Sequence, residues 1–595
     1  MTAAAWSHRD LLDFRAAEHA LAAGDHAGAE RIAAGVAGRQ PKSAQVHRLI
    51  ATARRRRGDL RAALAAYQAA EAIAPDDPDL LVDHAGLLDR MGAFDDAIAR
   101  YRHVLAVLPA HAQAMLGLAL SLKHAGRLDD ALAILSDAVA NSPRDDRLWQ
   151  ARGAILRDLG ESDLAAQAFD EALRLAPGNA ASLHGRARVE EEAGRPAGGF
   201  YERARQVHPA DRALLLSQAV SAAGEGRIGE AVAALDAQVR RTPDWIEGQV
   251  ALARLRWQHD GPDQFDAGFR QGIASLPAHG PLRAAWLGAL ARAGRHDAVM
   301  EEARRARVIL GASPTLDRIE AASASAAGDI ARADTLLAGL PVLPDASATL
   351  HLTHLLRTRR PDAAARLAEA LLEAGAGAIA APYLDIAWRQ TGNGAAEWLS
   401  GRAELVGTAM LDVDLDALGA HLRVLHAACH PPIDQSLRSG TQSEGPLLSR
   451  AHPIIRDLRS AVLAAVDHYA AGLLSDPRHP FLSRRRNRVG VGGSWTVRLT
   501  QGGFHVPHVH PDGWISSAFY VALPDGLGTE IGQDSGWLTL GAPPADIAHG
   551  LGAHRTIRPR PGMLVMFPSI MWHGTRPFDA GERLTAAFDF VPRPA

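Results

Sequence analysis

The densest chemistry in the chain lies in HVPHVHPDGWISSAFYV, residues 505–521, and FPSIMWHGTRPFDAGERLT, residues 567–585. His505, His508, His510 and Asp512 fall within eight positions, and His573 and Arg583 follow downstream. Imidazoles and a carboxylate at such spacing are the side chains of a metal site. In an extended strand alternate side chains share a face, so His508 and His510 can point at one ion. A third ligand from a distant strand closes a facial set and leaves coordination positions open. His505 is out of phase with that pair and in a continuous strand faces away, toward substrate or behind the ligands.

Two ligand sets are compatible with this spacing. One is all-histidine: His508, His510 and His573. The other takes His510-Pro511-Asp512 as a His-x-Asp pair, with His573 as the third ligand. A carboxylate suits non-haem iron better, whereas three neutral imidazoles leave the site more cationic. In the strand RLTAAFDFV, Arg583 and Thr585 share one face, and Leu584, Ala586 and Phe588 share the other. A planar guanidinium clamps a carboxylate with two parallel hydrogen bonds, and a neighbouring hydroxyl adds a third. Tyr520, two strand steps from Ser516 and on the same face, is a further donor.

DQSLRSGTQ, HVPHVHPDGWISSAFYVALP and PGMLVMFPSIMWHGTRPF…ERLTAAFDFVP together resemble the Fe(II)/2-oxoglutarate-dependent oxygenases. These are a branch of the double-stranded β-helix superfamily, and the resemblance covers residues 405–595. It rests on the order of elements: a histidine pair, a proline–glycine turn, an apolar strand, a histidine, then Arg-x-Thr near the C-terminus. The superfamily usually places a carboxylate two residues after its first histidine; here His510 stands in that position after His508. Members similar to this chain tend to show His-x-His-Pro, which favours the set His508, His510 and His573.

The resemblance implies an α+β domain with a jelly-roll core, and Fe(II) with 2-oxoglutarate as co-substrate. It also implies that Arg583 and Thr585, aided by Tyr520, hold the distal carboxylate of 2-oxoglutarate. The reaction implied is a dioxygenase hydroxylation. A His-x-His pair alone also suits a cupin, a zinc enzyme or a metal-storage loop. The rival of another class is a non-catalytic repeat scaffold whose barrel only binds metal or ligand.

The elements ahead of this region form a repeat array. Gly24, Gly58, Gly92, Gly126, Gly160 and Gly194 are each 34 residues apart, and Pro41, Pro75, Pro109, Pro143 and Pro177 keep the same step. Ala29, Ala63, Ala97, Ala131 and Ala165 follow five of the glycines, and Tyr67, Tyr101 and Phe169 stand further along three of the repeats. Glycine permits a tight turn, alanine a close helix crossing, and proline ends the second helix. The units resemble tetratricopeptide repeats. They are regular to about residue 210 and degenerate to about residue 400, where Gly294 and Gly328 keep the 34-residue step. The expected architecture is an all-α superhelix over 1–400 followed by the oxygenase-like domain over 401–595. Such arrays form a groove that binds a protein or peptide segment. His26, His84 and His111 share no spacing and are read as surface or turn residues.

Between the two, HPIIRDLRSAVLAAVDHYAAGLL has apolar residues at helical spacing and covers the sheet. The cluster Arg484, Arg485, Arg486 and Arg488 reads as a solvated loop. His426, His430, His452 and His468 lie away from the strand motif and are read as structural.

Bulk composition bounds the remainder. A chain of 595 residues exceeds one core. A net charge of -3 gives no reason for a nucleic-acid or bilayer partner. Cys429 is the single cysteine, so no disulfide framework or cysteine zinc site forms within one chain. No uninterrupted apolar stretch spans a bilayer, and a cytoplasmic location is expected. There is no G-x-x-x-x-G-K-[ST] loop or G-x-S-x-G elbow, which argues against a P-loop kinase or serine hydrolase.

Overall fold

The computed structural model describes residues 6–426, 436–443, 445–486, 488–525, 527 and 534–593. The chain divides into two compact units, Met1–Val189 and Glu190–Ala595. Cys429 and His430 lie outside the described residues.

The first unit is built of helical hairpins such as Leu60–Ile73 after Ala44–Arg56, and Phe94–Val107 after Pro78–Arg90. Each repeating glycine sits at a hairpin turn with positive φ, from 85° at Gly58 to 76° at Gly126. A Cβ is disfavoured in that conformation, which accounts for the strict recurrence. Aspartates beside two of the turns cap the next helix: Asp25 accepts from the Gly28 amide and Asp59 from the Ala62 amide. Ala29, Ala63, Ala97, Ala131 and Ala165 are fully buried where the helices cross. Tyr67 and Phe169 are also buried, and prolines such as Pro75 stand just beyond the second helix of their hairpin.

The aromatics are seated against glycines of neighbouring helices. A Cβ on Gly117 would lie 2.3 Å from the Tyr101 ring. Ordinarily Gly→Ala inside a helix stabilises by about 1 kcal/mol. At Gly117 overpacking costs about 1–3 kcal/mol instead, so Gly117→Ala is expected to lower the melting transition of this unit. Gly35→Ala, on the exposed side of His26–Arg39 with only the Arg39 tip near, is expected to raise it. Calorimetry of the two variants should show shifts of opposite sign.

His84 departs from the surface placement expected of it. It is fully buried, stacked on Tyr67 with ring centroids 5.5 Å apart, and its Nδ1 contacts the Glu71 carboxylate. A helix-face histidine and a surface one look alike when only spacing is considered.

In the second unit, helices continue to Gly377–Thr391, and the strands follow. These are β1 (Gly407–Met410), β2 (Leu437–Gln442), β3 (Val489–His505), β4 (Ile515–Ala522), β5 (Leu538–Leu540), β6 (Arg555–Ile557), β7 (Met563–Pro568), β8 (His573–Thr575) and β9 (Arg583–Pro592). They form a six-stranded sheet in the order β1-β7-β4-β9-β3-β2 and a three-stranded sheet β6-β5-β8. All named pairings are antiparallel. This is the helical repeat array followed by a curled, jelly-roll-like sheet domain. Among the described residues no helix is long and apolar enough to cross a membrane.

Strand parity sorts the large sheet into two faces. Leu584, Ala586, Phe588 and Phe590, with Ile515 and Phe519 of β4, are fully buried in one core with Ile455, Leu458, Val462 and Val466 of the helix Pro453–Gly472. The covering helix read from the sequence is therefore present. The same core runs back to Ala348 and takes in Tyr383, Leu384 and Trp388. The other face carries the polar residues. Across it Leu499 pairs with Arg583, and Thr585 pairs with both Val497 and Tyr520. Farther along, Asp589 pairs with Ser516.

Candidate metal centre and co-substrate anchor

β3 ends at His505, and Val506 and Pro507 interrupt it before His508 resumes pairing. His508 and His573 face each other as an isolated antiparallel bridge. Each donates its amide to the other's carbonyl at 3.0 Å. His510 is fixed by its amide, which donates to the Ser569 carbonyl at 2.9 Å. This backbone network converges the three imidazoles. One ligand atom from each of His508, His510 and His573 lies within 4.8 Å of the others.

The second nitrogen of each ring is already committed. Nδ1 of His508 is 2.9 Å from the Val506 carbonyl, and Nδ1 of His573 is 3.0 Å from the Met571 carbonyl. Nδ1 of His510 is 2.6 Å from Oδ2 of Asp589. A carbonyl or carboxylate can only accept, so the network assigns the proton to Nδ1 in all three rings. Nε2 is then the lone-pair nitrogen of each ring, the one left to face an ion, and on His508 it also lies 3.3 Å from the Ser436 hydroxyl. Outer acceptors that fix tautomer and ring orientation are the usual support of metal-bound histidine. Burial pushes His508 down to about 4, with His510 beside it adding to the effect. Burial likewise holds His573 well below the ordinary histidine range. Both rings are thereby kept neutral, the form that binds a metal. The residues present fit a divalent transition-metal ion with three nitrogen donors.

Asp512 is not brought to this point. It lies exposed in the turn after His510, outside the converging group. Across the strand break His505 comes to lie beside His508, outside the converging group. Its ring stacks on His508 at 5.8 Å, and Ser436 Oγ lies 2.9 Å from its Nδ1 and 3.3 Å from Nε2 of His508.

Arg583, Thr585 and Tyr520 are gathered on the interior face of the sheet. Arg583 is 2% exposed and its guanidinium carbon sits 5.2 Å from the centre of the Tyr520 ring. Arg583 Nε and the Tyr520 hydroxyl are both buried with no partner at full hydrogen-bond geometry among the described residues, the hydroxyl having only the neighbouring Arg583 side chain to interact with. Buried polar groups are rarely left unpaired. An underused hydroxyl beside a buried cation whose Nε is unpaired fits an anionic ligand such as a carboxylate. Burial raises the Tyr520 hydroxyl above its ordinary value, opposed by Arg583, so it remains a donor.

Two of the four cluster arginines brace neighbouring main chain, while Arg486 and Arg488 are exposed. Arg484 donates to the Gly513 carbonyl at 2.6 Å, and Arg485 to the Ala471 carbonyl at 2.8 Å. His426 lies 2.8 Å from the Thr441 hydroxyl, and His452 stacks on His421 at 4.1 Å. Asp589 was not among the residues singled out from sequence. Its parity was legible: it lies six positions after Arg583 and so shares that residue's face.

Residues 493–589 match the family model described as "Putative 2OG-Fe(II) oxygenase". Residues 14–78, 90–155 and 146–179 match tetratricopeptide repeat models. No curated protein matches the chain. Among solved structures, the chain is similar to PilW, a type IV pilus biogenesis factor, at 16% identity over 35% of this chain and 98% of that one, TM-score 0.33. It is also similar to TTC0263, a thermophilic tetratricopeptide protein of Thermus thermophilus, at 24% identity over 30% of this chain and 98% of that one, TM-score 0.27. A third is YrrB, a tetratricopeptide protein with an unusual peptide-binding site, at 17% identity over 31% of this chain and 94% of that one, TM-score 0.26. The chain thus carries tetratricopeptide repeats in its N-terminal part and, over 493–589, a segment similar to the family described as "Putative 2OG-Fe(II) oxygenase".

Proposed function

We propose that the chain is an Fe(II)- and 2-oxoglutarate-dependent dioxygenase that hydroxylates a protein or peptide substrate recruited by the repeats. The chemistry belongs to 401–595 and the recruitment to 1–400, in the cytoplasm. The observation that carries this reading is the pairing of three Nε2 atoms, each backed by an Nδ1 acceptor, with a buried Arg583–Tyr520 anchor in which Arg583 Nε is unpaired.

His508, His510 and His573 would hold Fe(II), and Arg583, Thr585 and Tyr520 would hold the distal carboxylate of 2-oxoglutarate. When bound, Fe(II) and 2-oxoglutarate supply the oxidation: dioxygen is divided between the substrate, which gains a hydroxyl, and 2-oxoglutarate, which leaves as succinate and carbon dioxide. The chain's own contribution is positioning and exclusion of water. The backbone bridge of His508 and His573 orients two donor rings. Arg583 has its charge desolvated in advance, which strengthens its grip on a carboxylate. Leu437, Val497, Leu499 and Phe578 form a buried apolar cluster beside the anchor strands that keeps this side dry.

Anaerobic addition of Fe(II) and 2-oxoglutarate is expected to give a visible charge-transfer absorbance, with succinate formed in air when substrate is present. Absence of both the band and succinate would remove the enzyme reading and leave a scaffold that only binds metal. Metal analysis of protein purified without chelator separates iron from zinc. Within the same site, Arg583→Ala is expected to retain metal and to weaken 2-oxoglutarate binding. Loss of charge-assisted hydrogen bonds worth about 1.5–3 kcal/mol corresponds to roughly 10- to 150-fold. Unchanged affinity by titration of the absorbance band would refute the anchor role.

A further inference from the structure

His508 and His573 lean on neutral backbone carbonyls, but His510 leans on a carboxylate. The three imidazoles are therefore not equivalent. Asp589 Oδ2 is 2.6 Å from His510 Nδ1, and Asp589 Oδ1 accepts from the Ser516 hydroxyl at 2.6 Å. Ser516 stands directly opposite Asp589 in the β4–β9 register, so both carboxylate oxygens are occupied and the group is held on a rigid strand pair. The Asp589 side chain is 17% exposed and that of His510 is 21% exposed. An all-imidazole donor set brings no negative charge to a divalent cation, and a nearby carboxylate would offset part of the cost of desolvating it.

Resting on the metal-site reading above, we propose that Asp589 is the positioning residue that supplies this charge through His510. The carboxylate absent from the donor set is present one hydrogen bond farther out. It orients the ring with Nε2 inward and strengthens His510 as an electron-pair donor to the ion. Ser516 in turn fixes the carboxylate.

The test uses the full chain, with Co(II) and anaerobic Fe(II) as probes, in wild type, Asp589→Asn, Asp589→Ala and Ser516→Ala. Asn can still accept from Nδ1–H but carries no charge, and Ala does neither. Expected affinities fall in the order wild type, Asn, Ala, with Asn weaker by about 10- to 100-fold. The Co(II) visible spectrum should shift in Asn, because His510 becomes a weaker donor, and Ser516→Ala should show a smaller loss in the same direction. Circular dichroism of the metal-free variants verifies folding. Asn within about twofold of wild type, or an unshifted Co(II) spectrum, overturns the charge role. If wild type itself binds neither ion, the metal-site reading fails first, so the two failures are distinguishable.

Discussion

His573→Ala is expected to abolish stoichiometric Fe(II) binding while leaving the fold intact. The side chain offers one of the three convergent nitrogens, and the remaining pair cannot close a facial set. Outer-contact losses at metal sites cost about 10- to 100-fold, so loss of a donor itself should exceed that range. The fold should survive because what His573 gives the barrel is mainly backbone. Its amide and carbonyl both pair with His508, and it pairs with Leu540 across β5, contacts that alanine retains. The ring does pack on Phe567 at 4.8 Å, so a modest stability loss is expected. Equilibrium dialysis with iron quantification, beside far-ultraviolet circular dichroism, checks both halves. A variant that still holds one iron per chain would exclude His573 as a ligand.

The second large effect is on a fragment. A chain beginning at residue 401 contains every proposed catalytic residue, yet it is expected to be molten or insoluble. The core of the sheet domain includes Ala348, Leu352, Tyr383, Leu384, Ala387 and Trp388, all upstream of that cut. The Trp572 indole donates to the Pro382 carbonyl and packs edge-on against Tyr383 at 5.7 Å. Arg389 donates to the carbonyls of Gly541 and Gly552, and His554 contacts the buried Asp385. Removing these partners exposes Leu540, Ile547 and Trp572, each worth about 1.5–3 kcal/mol of burial, and leaves buried polar groups unpaired. A fragment beginning near residue 341 keeps these contacts and should melt cooperatively. Dye binding and near-ultraviolet circular dichroism distinguish the two. A cooperative 401–595 fragment that binds Fe(II) would show that the helices 346–391 are dispensable.

That contrast also shows what the sequence made legible. The 34-residue glycine step predicts hairpins because each turn demands positive φ, and every one of those glycines has it. Strand parity placed Arg583 and Thr585 together, and the His-x-His spacing placed His508 with His510. Three things were hidden because they depend on partners distant in sequence. Val506–Pro507 breaks the strand, so parity could not be counted through it, and the contact of His505 with His508 was not visible. Asp512 looked as good as His508 by spacing, since turn and strand cannot be told apart at that point. The helices 346–391 have an apolar face like any repeat, and nothing local says that it is covered by a sheet rather than by another hairpin.

The paired main chains of His508 and His573 carry a further consequence. Two donors hung on strands that hydrogen-bond to each other cannot spread or close independently, so the gap between their rings behaves as a fixed gauge. An ion entering it finds the ordering of those donors already done, which favours tight binding. On the proposed metal reading, the same stiffness should disfavour ions whose bond lengths differ. Discrimination among metals at this site should then follow ionic radius more strongly than the Irving–Williams order alone would give.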